Sequence, residues 1–171
     1  RNVYLKLLFI FNACITLFIF LLGNDISAEQ TATIIADEIR SDNKSNIIYA
    51  KGDVVIVNDD GTKVRADKVT YEEQKQKLIA KDNVIINDLE GNTYFLDDAT
   101  SSNGLNYLKG NNVKARLVDN SRIVSKDIVK NENITLLTDA EYTPCDEKNY
   151  LIKNCPGWKL KAKKIYQDSN T

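Results

Sequence analysis

A repeat of about 30 residues is the feature of this sequence that most constrains its fold. YAKGDVVIVNDDGTKVRAD (49–67) is followed by IAKDNVIINDLEGNTYFLD (79–97). The alignment pairs Ala50 with Ala80, Val54 with Val84, Ile56 with Ile86 and Gly61 with Gly91. A third, more divergent copy occupies 108–129, where Val113 aligns with Val84 at an offset of 29. Repeats of this length are typical of folds that stack one small structural unit on the next.

The residues within each copy favour β-strands. Apolar residues alternate with a period of two in runs such as Val54/Ile56 and Val84/Ile86, and β-branched residues dominate these runs. Polar stretches that contain glycine, NDDG, NDLEGN and SSNG, separate the runs and are turn sequences. The sequence therefore predicts an all-β domain of stacked antiparallel strands, with two strands per repeat.

The third copy indicates which side of each strand faces inward. Lys114 stands where the first two copies have Val55 and Ile85. A shift by one residue would exchange the two faces of a strand, so the positions that stay apolar in all copies define the interior. The predicted inward set is Val54, Ile56, Val84, Ile86, Val113, Ala115 and Leu117. These residues either pack as an ordinary core, which the residues alone favour, or line a groove that holds an apolar ligand.

The first 28 residues have the layout of a signal peptide. Arg1 and Lys6 precede an apolar run, 7–22, and Ser27 and Ala28 supply small residues at its end. That run is shorter than the roughly 20 residues that a membrane-spanning helix needs. We therefore expect a cleaved export signal, followed by one domain in 29–171.

Charge and residue usage exclude several functions. Without the signal region the chain carries 21 basic and 23 acidic residues, which argues against nucleic acid as a partner. The chain has no histidine, no glycine-rich phosphate loop and no Cys-x-x-Cys motif, so we expect neither enzymatic activity nor a cofactor. Carboxylate pairs such as Asp97/Asp98 are expected to be solvated near turns.

Two segments resemble a known family. ADEIRSDNKSNIIYAKGDVVIV (36–57), leading into ADKVTYEEQKQKLIAKDNVII (66–86), resembles the organic solvent tolerance protein A (OstA) family. Its members are the periplasmic and outer-membrane components of the lipopolysaccharide transport bridge. LTDAEYTPCDEKNYLIKNCPGWKLKAKKI (137–165) is similar to the junction between periplasmic domain and barrel in the LPS-assembly (LptD) branch of that family. The resemblance covers roughly 31–168 and does not include a barrel.

The resemblance implies a fold, a location and partners. The fold would be an open β-jellyroll, bent like a taco, whose interior carries the acyl chains of lipopolysaccharide at the periplasmic face of the outer membrane. The first strand, near Ile34 and Ala36, would receive a bridge protein of the same fold by edge addition. An outer-membrane lipoprotein would bind through the barrel. On this interpretation 1–28 is the signal peptide, 29–140 the jellyroll and 141–171 the last strands before a barrel.

Three interpretations of Cys145 and Cys155 remain open. Export implies an oxidising compartment, in which the two cysteines can form a local disulfide. The resemblance instead implies that Cys145 is bonded to a cysteine of the barrel. A metal site is the weakest interpretation, because the chain has no histidine to complete a zinc site. Trp158 is predicted to be a core residue of the last strand.

The sequence leaves two alternative functions open. The first is a soluble periplasmic bridge protein of the same fold, and the second is a β-solenoid structural or adhesion domain with a solid core. The reading frame after Thr171 separates the first of these from the LPS-assembly interpretation, which requires several hundred further residues of alternating strands.

Overall fold

The computed structural model describes residues 32–104, 106–144 and 157–168, which form one open antiparallel sheet. Its ten strands are β1 (Ala32–Ile35), β2 (Glu38–Asp42), β3 (Ile47–Asn58), β4 (Lys63–Glu72), β5 (Lys77–Asn87), β6 (Thr93–Ser102), β7 (Tyr107–Arg116), β8 (Arg122–Asn131), β9 (Ile134–Thr143) and β10 (Leu160–Asp168). A turn of 3-10 helix, Glu73–Lys75, joins β4 to β5. The prediction of an all-β domain of antiparallel strands is confirmed.

Neighbours in the chain are neighbours in the sheet from β3 to β10. At the other end, β1 and β2 share β3 as their partner. Ile34 of β1 lies opposite Ile56 in the second half of β3, whereas Ile39 of β2 lies opposite Ala50 in the first half. Among the strands that the structure describes, β1 and β2 therefore form one edge of the sheet and β10 forms the other.

The long strands bend near their middles, at positions that we call the corners. The register shifts between Lys51 and Val54 in β3, and the same shift recurs in β5. Asp82 and Asn83 of β5 have φ values of 63° and 53°, a left-handed conformation that Asn and Asp adopt more readily than most residues. At the corner, Gly52 and Asp53 of β3 stand opposite the single residue Asp67 of β4. The inward alternation of β4 changes there, so Ala66 and Val69 are both buried although three positions separate them.

The corners divide the sheet into two walls that enclose the core. The first wall comprises 32–35, 54–58, 63–66, 84–87, 93–96, 113–116, 122–125, 140–143 and 160–162. The second wall comprises 38–42, 47–51, 68–72, 77–81, 98–102, 107–111, 127–131, 134–138 and 164–168. One core cluster draws on both walls, with Val54 and Ile86 from the first and Val69 and Leu137 from the second.

Gly52 at the corner of β3 provides a test of this bend. Its φ is +79°, its carbonyl accepts a hydrogen bond of 3.0 Å from the Asp37 N–H, and a Cβ there would overlap the Asp37 carboxylate. We expect Gly52→Ala to lower the free energy of unfolding by roughly 1–3 kcal/mol, measured by urea denaturation. Asp53→Gly is the matched control, and it should change the free energy of unfolding little, because glycine readily adopts the φ of 41° found at this position. Equal stability of Gly52→Ala and the parent would contradict the left-handed corner.

Residues 1–28, the expected signal peptide, lie outside the described residues. Across 32–104, 106–144 and 157–168, no helix has the length and apolar character needed to cross a membrane. The boundary expected between 140 and 141 falls inside β9, and β10 continues the same sheet.

Candidate functional site

The seven residues predicted to face inward lie between the two walls. Six of them are buried in the core: Val54, Ile56, Val84, Ile86, Val113 and Ala115. Leu117 is half-buried and follows the end of β7. On the opposite face of the same strands, Val55 and Ile85 are half-buried and Lys114 is exposed. The alternation thus separates an enclosed face from one that is open to solvent.

Cross-strand pairing joins inward residues of the first wall into a continuous line, which we call the interior row. It consists of Ile34, Ile56, Val64, Ile86, Tyr94, Ala115, Ile123, Tyr142 and Leu160. With neighbouring strands about 4.8 Å apart, a row that crosses nine strands is about 38 Å long. Apart from two tyrosine hydroxyls, its side chains are apolar along the whole length.

The second wall presents smaller side chains beside the corner. Its matching row is Ile39, Ala50, Val69, Ala80, Ala99, Gly110, Ile128, Leu137 and Ile165. Small residues let the opposite wall approach closely, and Gly110 shows this directly, since a Cβ there would overlap the Leu96 side chain. The row becomes bulkier from Ile128 onward, so the space between the walls changes along the sheet.

A cleft opens between the walls in the part of the sheet built from β5 to β10. Its volume is about 90 Å³, and its base is apolar, formed by Ile86, Leu108, Val113, Ala115, Ile128 and Leu137. Polar side chains surround its mouth: Asp88 and Glu90 at one side, Lys130, Thr135 and Gln167 at the other. This volume admits on the order of six water-sized groups, so a long apolar chain requires the walls to move apart.

Tyr94 connects the interior row to the mouth. Its hydroxyl donates a hydrogen bond of 3.2 Å to Asp88 Oδ2, and burial, together with the negative charge of Asp88, raises the pKa of the phenol. The tyrosine therefore remains neutral at physiological pH. Asp88 also accepts a hydrogen bond of 2.8 Å from the Asn92 N–H, which fixes the turn that carries one side of the mouth.

The residues proposed for docking lie on and just after the first edge strand. Ile34 and Ala36 are half-buried and pack against the core cluster, whereas Ile35 points to the outer face and is 59% exposed. The side chains of Ile34 and Ala36 thus extend the apolar interior to the end of the sheet. Docking at β1 would use its backbone groups, because β1 pairs with β3 alone among the described strands.

The corners carry a series of polar contacts that the sequence interpretation missed. Asn83 Nδ2 donates to Asp67 Oδ2 at 2.8 Å, and the corresponding pair one repeat later is Asn112 and Asp97. Lys68 forms an ion pair of 2.8 Å with Asp82. For Asp97 the sequence interpretation expected solvation alone. The recurrence of Asp and Asn at the repeat interval was the signal that could have identified these pairs.

The last strands differ from expectation at Trp158. The prediction that Trp158 is a core residue is wrong: it is 50% exposed, and its ring centroid lies 5.9 Å from that of Tyr142. It precedes β10, whose pairing with β9 begins only at Leu160. Nearby, Lys159 and Lys161 contact Glu141 at 2.7 and 2.9 Å, and these hydrogen bonds lower the pKa of that carboxyl to about 2.

Cys145 and Cys155 lie outside the described residues, so the disulfide interpretations stay predictions. In the part of the chain that the structure describes, His, Cys, Asp and Glu side chains do not gather in groups of three or more that could hold a metal ion.

Comparison with known proteins identifies the fold. No model of a known protein family and no curated protein matches the sequence. Among solved structures, the chain is similar to LptH from Pseudomonas aeruginosa, described as the LptA homologous periplasmic component of the conserved lipopolysaccharide transport device. The match covers 78% of this chain and 94% of LptH, with 12% sequence identity and a TM-score of 0.52. The chain therefore has the LptA-like β-jellyroll fold, as the sequence predicted.

Proposed function

We propose that this chain is a periplasmic module of lipopolysaccharide transport that shields acyl chains between its two walls. The observation that carries the proposal is the interior row, an apolar path of about 38 Å in a fold shared with a component of such a device. Each methylene removed from water contributes about 0.8 kcal/mol, so a continuous apolar path lowers the cost of moving long chains through an aqueous space. This function requires no catalytic residue and no cofactor.

The cleft is the part of the interior that we expect the ligand to enter. Acyl chains would lie against Ile86, Leu108 and Ile128, and their entry would separate the walls on the side away from the corners. The sugar and phosphate portion would stay at the polar mouth, where Lys130 offers a positive charge. The remaining polar groups there can exchange hydrogen bonds with water or sugar.

Two versions of this proposal differ in what surrounds the module. As a soluble bridge component, the chain would resemble LptH in role as well as in fold, which the structural similarity favours. As the periplasmic domain of an outer-membrane assembly protein, it would continue into a barrel, which the resemblance of 137–165 to that junction favours. Fractionation of cells separates the versions: a barrel protein is several hundred residues longer and sediments with the outer membrane, together with its lipoprotein partner.

Both versions include a partner of the same fold at the first edge. The interior row begins at Ile34, so a sheet added to β1 would continue the apolar path into the next molecule. The backbone groups of β1 that no described strand pairs would supply the hydrogen bonds, and the matching interior of the partner would supply the continuity.

Site-specific photocrosslinking tests the ligand. A photoreactive amino acid at Ile56, Ile86 or Ala115 should crosslink to lipopolysaccharide, because these side chains face the interior. The same amino acid at Val55 or Lys114 should not, since both lie on the opposite face of the same strands. Immunoblotting of the crosslinked product with an antibody against lipopolysaccharide gives the readout.

Two results would contradict the proposal. Equal crosslinking at both sets would mean that lipid does not distinguish the interior from the outer face. Crosslinking at neither set, in a protein that remains folded, would favour the alternative of a structural domain with a solid core.

A further inference from the structure

The outer face of the first wall has a composition unlike that of the rest of the domain. Two cross-strand rows make up this surface, which we call the outer face. The row nearer the corners is Ile35, Val55, Arg65, Ile85, Phe95, Lys114, Val124, Glu141 and Lys161. The next row is Thr33, Val57, Lys63, Asn87, Thr93, Arg116, Arg122 and Thr143.

The outer face is strongly basic, although the whole chain has a net charge of −1. Glu141 is the only acidic residue in the two rows. The basic residues are six: Lys63, Arg65, Lys114, Arg116, Arg122 and Lys161. Glu141 is paired with Lys161 at one end of the sheet. Within the two rows, every charged residue from β4 to β8 is therefore basic.

Apolar side chains flank two of these cations, both in the row nearer the corners. Arg65 lies between Val55 and Ile85, and Lys114 lies between Phe95 and Val124. Opposite residues of antiparallel strands have Cβ atoms about 4.5–5.5 Å apart, so these two cations have apolar neighbours on both sides. Phe95 is 43% exposed and Val124 is 51% exposed, so these apolar groups are open to a partner.

The aspartates of the nearby turns keep their negative charge, and they lie beyond the ends of the strands, where each accepts hydrogen bonds within its own turn. Asp60 accepts a hydrogen bond of 2.8 Å from the Thr62 N–H. Asp119 accepts one of 2.9 Å from the Ser121 N–H in the equivalent turn, and Asp88 does the same in the turn between them. The basic and apolar groups thus lie between two acidic borders, the turns at one end and corner residues such as Asp67 and Asp97 at the other.

We propose that the outer face binds the surface of a bilayer that contains anionic phospholipids. Its charge complements such a surface, and apolar groups between the cations can enter the boundary between headgroups and acyl chains. Cations and apolar groups are mixed along the row nearer the corners across five strands, β4 to β8, which suits a fluid layer of headgroups better than one folded acidic partner. This surface lies on the opposite side of the first wall from the interior row, and the inference does not depend on lipopolysaccharide transport.

Vesicle sedimentation tests the proposal. The described strands and their core lie within 32–168, so residues 29–171 contain the whole sheet and omit the apolar run of the signal region. We expect binding to vesicles of mixed phosphatidylglycerol and phosphatidylcholine, weakening as salt is raised, and little binding to phosphatidylcholine alone. Replacing Arg65 and Lys114 together by glutamine should lower the partition coefficient roughly 30-fold.

The matched control carries the same change of charge on the other wall. Lys77→Gln with Lys109→Gln alters the outer side of the second wall and should leave binding unchanged. Phe95→Ser with Val124→Ser should also reduce binding severalfold, without any change of charge, because these side chains would insert into the interface. Circular dichroism and thermal unfolding verify that each variant is folded.

Three outcomes would overturn the proposal. The first is equal binding to neutral and anionic vesicles, and the second is equal loss in the variants of the two walls. The third is binding that is insensitive to the loss of Phe95 and Val124, which would indicate a site for soluble polyanions or an acidic protein. Failure of lipopolysaccharide to crosslink at Ile86 would leave vesicle binding intact, so this proposal and the transport function fail separately.

Discussion

Val113→Asp is expected to lower the free energy of unfolding by about 4 kcal/mol or more, whereas Lys114→Asp should change it by no more than about 0.5 kcal/mol. The two residues are adjacent in β7, but Val113 is 1% exposed and Lys114 is on the solvent side. Ser125 lies opposite Val113, and its single hydroxyl cannot supply the hydrogen bonds and opposite charge that a buried carboxylate needs. Since small domains are stable by only about 5–15 kcal/mol, the Val113 variant should be partly unfolded in mild denaturant.

The pH dependence of the Val113 variant gives a second, independent readout. Burial raises the pKa of the introduced carboxyl group above its unfolded value of about 3.9. The folded state then holds the proton more tightly, so the stability that depends on this group is retained below about pH 4 and is lost as pH rises through the folded pKa. Urea denaturation at pH 3.5 and pH 7 measures this. A loss of stability that is equal for the two variants, at either pH, would contradict the inward assignment of Val113.

Ile86→Ala is expected to lower the free energy of unfolding by about 2–5 kcal/mol, because the truncation leaves a cavity that the surrounding strands fill only partly. Ile86 is 2% exposed and lies between Val64 and Tyr94 in the interior row. Ile35→Ala is the matched control, since the same side chain is 59% exposed on the outer face of the edge strand. Its cost should remain below about 0.5 kcal/mol.

Chemical denaturation of both isoleucine variants at one temperature supplies the comparison. The m-value should stay constant, because neither substitution changes the surface exposed on unfolding by much. If Ile86→Ala cost no more than Ile35→Ala, the walls would have to be apart at Ile86 rather than packed as the structure has them. That result would mean that the interior is open even without a ligand.

The sequence predicted the strands and the orientation of their side chains because both depend on local alternation. One substitution in the third copy, Lys114, was enough to distinguish the two faces, and Val113 and Lys114 lie on the sides expected of them. The turns also followed from the sequence. Asn58 and Gly61 form a turn hydrogen bond of 2.9 Å, as polar stretches with glycine predict.

The corners and the cleft could not be predicted, because they depend on features that alternation does not encode. The corners of β3 and β5 each add a residue relative to β4, and left-handed residues such as Asn83 make the addition possible. The inward alternation of β4 is reset at the same place. The cleft depends on the volumes of side chains that face each other from opposite walls, for example Gly110 and Leu96. These two residues do not stand at equivalent positions of the repeat, so aligning the copies does not pair them. Trp158 was misjudged because its strand begins only after it, at Leu160.

The meander order of β3 to β10 makes the length of the molecule adjustable in steps. Each repeat of about 30 residues supplies two full-length strands and therefore adds about 9.6 Å to the sheet. Gene duplication or loss of one unit would change the reach of the domain while keeping its cross-section, because every new strand is hydrogen-bonded to the strand before it and the strand after it. A chain built in this way can evolve to span a different distance without redesigning its interior.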